Sequence, residues 1–192
     1  GLYFISTPFD IESANFLKKI CDCLKISSGD NNYFDLINTT IKSNKPVLIS
    51  TGFTNENEIK NIYNHILKKK GLKFVKEKFA LLHCIASYPT EIDDTNINVI
   101  KSLIKKYSCQ IGFSDHSRSN LPAICSIGMG VKIFEKHFTL DNNFSDFRDH
   151  QLSAEPMELE DRVPPSVSNF MKTVSPRSES EIEIVGIIKE ES

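Results

Sequence analysis

Residues 47–84 read VLISTGFTNENEIKNIYNHILKKKGLKFVKEKFALLHC, and their reading decides the fold. Two short apolar runs, Val47 to Thr51 and Phe79 to Cys84, bracket a longer segment of different period. Within that segment Ile59, Ile62, Tyr63, Ile66 and Leu67 fall on one helical face while lysines crowd the other. Asn55, followed three residues later by Glu58, supplies a capping box at its start. The pattern is strand, helix, strand. Because the strands are apolar throughout rather than alternating, both of their faces are expected to be covered, as in parallel sheets flanked by helices.

The same alternation extends in both directions. Leu2 to Ser6, Cys23 to Ser27, Gln110 to Ser114 and Val131 to His137 are further strand-like runs. Helices are expected around Ile11 to Ile20, Tyr33 to Ile41, Asn96 to Lys106 and Leu121 to Met129. Strands alternating with helices in this way define an α/β protein. An open doubly wound sheet and a barrel both fit the pattern, and periodicity does not choose between them. The character changes near Asp161: Arg162-Val163-Pro164-Pro165 interrupts the expected last helix, and Ser175 to Glu181 is polar. Glu181 to Ile188 alternates like a short strand without an obvious partner. The chain is therefore divided into residues 1–160, the βα domain, and 161–192, a divergent and poorly packed tail.

Composition narrows the function classes. The chain has 192 residues, enough for one sizeable core, and its 40% hydrophobic and 25% charged content is that of a globular protein. A formal net charge of −2 offers no global field for nucleic acid or a membrane surface, so any anionic ligand must be held locally. Apolar runs fall short of the roughly 20 residues of a membrane span, and the first residues lack a charged leader, which makes the cytoplasm the expected location. Cys21, Cys23, Cys84, Cys109 and Cys125 are odd in number, lie in apolar runs and lack a C-x-x-C spacing; reduced, buried thiols are expected.

Polar residues gather where the strands end, the region in which both kinds of α/β fold place their active sites. Thr7-Pro8-Phe9-Asp10, Lys25 to Asp30, Ser50-Thr51-Gly52, His83 to Thr90, Ser114-Asp115-His116 and Glu135-Lys136-His137 each follow an apolar run. Residues two apart on a strand share a face, so Glu135 aligns with His137, and Ser114 with His116 if the strand reaches that far. Two imidazoles from neighbouring strands can share one metal and leave positions for water and substrate oxygens. A hydrogen-bonded core histidine is the plainer alternative at each position. His65, on a lysine-rich helix, is expected to be solvated; His83 and His150 are undecided. Lys25 on an apolar strand needs an acid or an anion. Ser28-Gly29 and Ser50-Thr51-Gly52 could add hydroxyl and backbone N–H donors to a phosphate or carboxylate.

Taken in order, Thr7-Pro8-Phe9-Asp10, Leu24 to Asp30, Lys45 to Gly52, Leu81 to Cys84, Ser87-Tyr88-Pro89-Thr90, Gly112 to His116 and Glu135 to Thr139 resemble the sialic acid synthase family, which makes N-acetylneuraminate and the related legionaminic and pseudaminic acids. The resemblance covers about residues 1–160. It implies a TIM (β/α)8-type barrel that condenses phosphoenolpyruvate with an N-acetylated hexosamine such as N-acetylmannosamine. By motif, it implies His116 and His137 as ligands of Mn2+ or Mg2+. Thr7, Lys25, Ser28, Ser50 and Ser114 become phosphoenolpyruvate contacts, Tyr88 and Asp149 sugar contacts, and Glu135 a polar neighbour of the reacting centre. A homodimer is the implied state of the parent enzyme.

Several departures accompany the resemblance. Ala86 stands where the family usually has Ser or Asn, and Phe144-Ser145-Asp146-Phe147-Arg148 replaces a commoner Pro-Gly-Pro approach. The chain starts at what resembles the third barrel strand, so about six βα units are expected. An early glutamate, a second phosphate-binding lysine and a C-terminal antifreeze-like domain of the family have no counterpart here, and a partial barrel inactive by itself is expected. Two other readings compete: a Schiff-base aldolase using Lys25, and a non-catalytic truncated segment.

Overall fold

A computed structural model describes residues 3–144 and 148–156, together with the backbone of 183–187. In chain order the elements are β1 (Ile5–Ser6), α1 (Ile11–Ile20), β2 (Cys23–Ile26), α2 (Phe34–Ile41), β3 (Val47–Ser50), α3 (Glu56–Lys78), β4 (Phe79–Cys84), α4 (Asn98–Lys106), β5 (Gln110–Asp115), α5 (Leu121–Gly128), β6 (Ile133–His137), α6 (Arg148–Leu152) and β7 (Glu183–Ile187). They fall into two compact units, residues 1–84 with 102–111, and residues 85–101 with 112–192.

In the first unit β1, β2, β3 and β4 pair in chain order, all parallel. Every residue of β2, β3 and β4 is buried, the state that continuous apolar runs predict. Leu24, Ile26, Leu36, Ile37, Ile49 and Ile66 have no exposed surface and form the centre of its core. α1 starts where Asp10 accepts the Ser13 amide at 2.7 Å, and α3 carries the expected capping box of Asn55 and Glu58. The span read as one helix is broken at Gly71, whose φ of 80° and ψ of 168° are open to glycine and strained for other residues. His65 is also not simply solvated. Its Nε2 lies 2.8 Å from Asn38 Oδ1 and its ring packs on Phe34 with centroids 4.8 Å apart, because the helix face that carries it turns toward α2.

In the second unit β5, β6 and β7 are parallel. The strand-like stretch near the C-terminus finds a partner after all: Glu183 to Ile187 run in register with Ile133 to His137. The proline break at 162–165, the polar stretch 175–181, the boundary at 160/161 and positions 145–147 of the departing loop lie outside the described residues.

None of the five cysteines is in a disulfide; Cys21, Cys23 and Cys84 are buried, and burial pushes the Cys109 thiol up to about 12. Among the described residues, no helix is long and apolar enough to cross a membrane.

Candidate functional site

The first unit gathers hydroxyls and a lysine at the carboxyl ends of its strands. Register pairs Lys25 with Leu48, Leu48 with Ala80, and Ser50 with Leu82, so Lys25, Leu48, Ser50, Ala80 and Leu82 share one face of the sheet. His83 alternates to the opposite face with Ile49 and Leu81 and is buried, which makes it a core histidine. Lys25 is only 8% exposed, and Thr7, directly beyond β1, is half-buried.

The turn after β3 is held from several directions. Asn31 donates its amide to the carbonyls of Ser50 at 3.1 Å and Gly52 at 3.0 Å. The Gly52 amide donates to Ser28 Oγ at 3.1 Å, and the Thr51 amide and hydroxyl both donate to the Leu82 carbonyl at 2.9 and 3.0 Å. Ser50 Oγ, by contrast, is buried and has no hydrogen-bond partner among the described residues. A buried hydroxyl left unsatisfied is uncommon and asks for an explanation, such as a ligand that completes it. Asn31 escaped the sequence reading, since its acceptors lie 19 and 21 residues away and no local pattern announces them.

The second unit assembles rings and charges. Ser114 pairs in register with Glu135, so both point to one face, and alternation carries that face on to His116 and His137. Ser114 is 2% and Glu135 4% exposed. The two imidazole centroids are 5.4 Å apart. His116 Nδ1 lies 2.8 Å from the Ile85 carbonyl, which can only accept, so Nδ1 carries a hydrogen and Nε2 is the nitrogen that a neutral ring would offer to an ion. Tyr88 stacks on the His116 ring at 4.0 Å and meets His137 edge-on at 5.8 Å. Asp149, nine-tenths buried, brings Oδ2 to 4.0 Å from His137 Nδ1. His150, undecided from spacing, brings Nδ1 to 2.9 Å from the Thr139 hydroxyl and packs its ring near Phe144.

Asp115 and Lys136, the residues between the site positions, point the other way. They form a salt bridge of 2.9 Å at 1% and 5% side-chain exposure. Neither was singled out from the sequence by itself, although alternation puts the middle residue of each tripeptide on the far face.

These groups suit a divalent cation. Metal–nitrogen bonds of about 2.1 Å put the centroids of two imidazoles on one ion roughly 5 Å apart, close to the separation observed. Among the described residues, no group of three or more His, Cys, Asp or Glu side chains is gathered for an ion. An ion held by the histidine pair alone would have its other positions filled by water or substrate oxygens.

Comparison with known proteins gives the family. The NeuB family model matches residues 1–174. N,N'-diacetyllegionaminic acid synthase of Campylobacter jejuni is 36% identical over 160 residues, 83% of this chain and 47% of the relative. N-acetylneuraminate-9-phosphate synthase of Drosophila melanogaster is 32% identical over 181 residues, 93% of this chain and 47% of the relative. The crystal structure of N-acetylneuraminic acid synthetase from Leptospira borgpetersenii, solved with citrate, superposes with a TM-score of 0.72 at 36% identity, covering 79% of this chain and 51% of that one. The chain thus spans about half the length of the curated relatives it matches. Its fold is α/β, an incomplete barrel of the (β/α)8 type.

Proposed function

The chain belongs to the NeuB family, and from that premise we propose that its protein condenses phosphoenolpyruvate with an N-acetylated amino sugar, such as N-acetylmannosamine, and releases phosphate. The observation that carries this reading is the pair of imidazoles 5.4 Å apart at the ends of β5 and β6, one of them with its tautomer set by the Ile85 carbonyl. His116 and His137 would hold Mn2+ or Mg2+, which when bound polarises the carbonyl of the open-chain sugar.

The remaining roles belong to the chain's own residues. Lys25 neutralises the anionic donor, and the hydroxyls of Thr7, Ser28, Ser50 and Ser114 hold its phosphate and carboxylate oxygens. The buried Ser50 Oγ, without a partner among the described residues, supports that role, because a donor oxygen would satisfy it. Tyr88 and Asp149 orient the sugar, and Glu135 handles a proton beside the reacting carbon. A bond forms between C3 of phosphoenolpyruvate and the aldehyde carbon, water adds at C2, and the bond from C2 to the phosphate oxygen breaks. We assign the enzyme to the cytoplasm as a homodimer; cysteines outside disulfides suit a reducing compartment.

The test is phosphate release from phosphoenolpyruvate and N-acetylmannosamine, or the diacetamido sugars of the legionaminic and pseudaminic routes. It is run with this chain and with a form extended to the length of its relatives. His116→Ala and His137→Ala should each abolish turnover and its dependence on added Mn2+; unchanged condensation in both would sink the assignment. Borohydride trapping of a substrate adduct on Lys25, together with insensitivity to chelators, would favour a Schiff-base aldolase instead.

A further inference from the structure

The two histidines are one residue away from a second, opposite-facing pair. Asp115 precedes His116 and Lys136 precedes His137, and the two are partners in the β5–β6 register. Their salt bridge of 2.9 Å is almost wholly removed from water. It does not stand alone. Asp115 Oδ1 accepts the Ser117 amide at 2.9 Å, and Lys136 Nζ also donates to the Ser117 carbonyl. Ser117, the residue just after His116, is therefore gripped at both its N–H and its C=O by the two charged groups. On the other side, the Thr90 amide donates to the His116 carbonyl at 3.0 Å. Ser117 is thus tied to β6 through Lys136, the residue before His137, while the His116 carbonyl is held by the stretch that follows β4.

We propose that Asp115, Lys136 and Ser117 form a positioning clamp, which fixes the backbone of His116 against that of His137 and so sets the approach of the two imidazoles. A buried ion pair is a poor device for stability alone, since a well-packed apolar pair of the same volume serves as well or better. What it offers is direction: a carboxylate and an ammonium accept and donate at defined positions, whereas two leucines would allow the strand end to slide. Outer groups that orient metal-binding histidines commonly change metal affinity by about 10–100-fold when removed. The consequence for a cation rests on the functional reading given above; the positioning of His116 does not.

The experiment uses the whole protein that carries this chain, with Asp115→Asn, Lys136→Met and the double variant D115N/K136M, which leaves no lone buried charge. Thermal melting verifies that each is folded, and Lys136→Arg serves as the conservative control. The first measurement needs no metal: hydrogen exchange and 15N NMR of the His116 ring. The double variant should melt near the wild type yet lose protection of the Nδ1–H that faces the Ile85 carbonyl, and Lys136→Arg should retain part of it. The second measurement is Mn2+ titration followed by electron paramagnetic resonance, where the double variant should bind roughly 10–100-fold more weakly. A folded double variant with a protected Nδ1–H and wild-type Mn2+ affinity overturns the clamp. If His116→Ala and His137→Ala leave Mn2+ binding unchanged while the double variant still loses Nδ1–H protection, the metal reading fails and the clamp survives.

Discussion

The carboxyl ends of the strands in the two units solve different chemical problems. In the first unit the polar groups are hydroxyls and one lysine, ordered through the backbone: Asn31 and Ser28 tie down the turn from Ser50 to Gly52, and the Ser50 hydroxyl has no partner among the described residues. In the second unit the groups are rings and charges, ordered through side chains: Tyr88 lies on His116, Asp149 approaches His137, and Asp115 meets Lys136 behind them. Backbone and hydroxyl donors around a lysine suit an anion whose oxygens vary in direction. A pair of imidazoles, one of them oriented by a backbone carbonyl, suits a cation that demands fixed geometry.

The largest expected effect breaks the cation half. His116→Ala or His137→Ala removes a proposed ligand outright, so Mn2+ affinity should fall by more than the 10–100-fold that loss of an outer partner typically causes. Donor binding measured without metal should be nearly unchanged. If phosphoenolpyruvate affinity collapsed equally, the division of labour between the units would be wrong.

Next comes the anion half. Lys25→Met removes one charge from a buried strand position. A charge-assisted hydrogen bond contributes about 1.5–3 kcal/mol, so the KM for phosphoenolpyruvate should rise roughly 10- to 150-fold. Mn2+ affinity should not move. Equal loss of both would argue that Lys25 supports the fold rather than the donor.

A third substitution separates stability from binding. Gly71→Ala forces a side chain into a conformation that only glycine adopts freely, at a cost of about 1–3 kcal/mol, read from urea unfolding. Space is not the problem, since an added Cβ would meet nothing within 4 Å. Affinities for donor and metal should both persist.

Much of this arrangement is legible in the sequence, and the illegible parts share a cause. Strand ends are readable because apolar runs stop abruptly: Ile49 gives way to Ser50-Thr51-Gly52, and Phe134 to Glu135-Lys136-His137. Alternation then puts Glu135 and His137 on one face, and the structure agrees. What the sequence hides is whatever depends on register or on distant partners. Asp115 and Lys136 look like parts of their motifs until the strands are aligned, when they become a buried pair on the far face. Asn31 reads as a loop residue because its two acceptors belong to another strand. The partner of the last strand was equally hidden, since an alternating pentapeptide carries no record of which edge it joins.

The smallest expected effect concerns His65, the residue for which local charge was the most misleading guide. Lysines on the same helix suggested a solvated ring, yet the ring is half-buried against Phe34 and Asn38. Burial first, then the charges of Lys69 and Lys68, lower its pKa below the ordinary 6.5. A histidine with a lowered folded pKa is neutral in the native state at pH values where the unfolded chain already binds a proton. Its contribution is therefore fully present above about pH 6.5, the unfolded value. It is lost as the pH falls from there through the folded pKa. His65→Gln removes the proton but keeps a polar group near Asn38. Urea unfolding of the variant should show a flatter dependence of stability on pH below about 6.5, the unfolded histidine value, and little difference from wild type at pH 8. An unchanged slope would mean that the ring is as well solvated in the folded protein as in the unfolded chain.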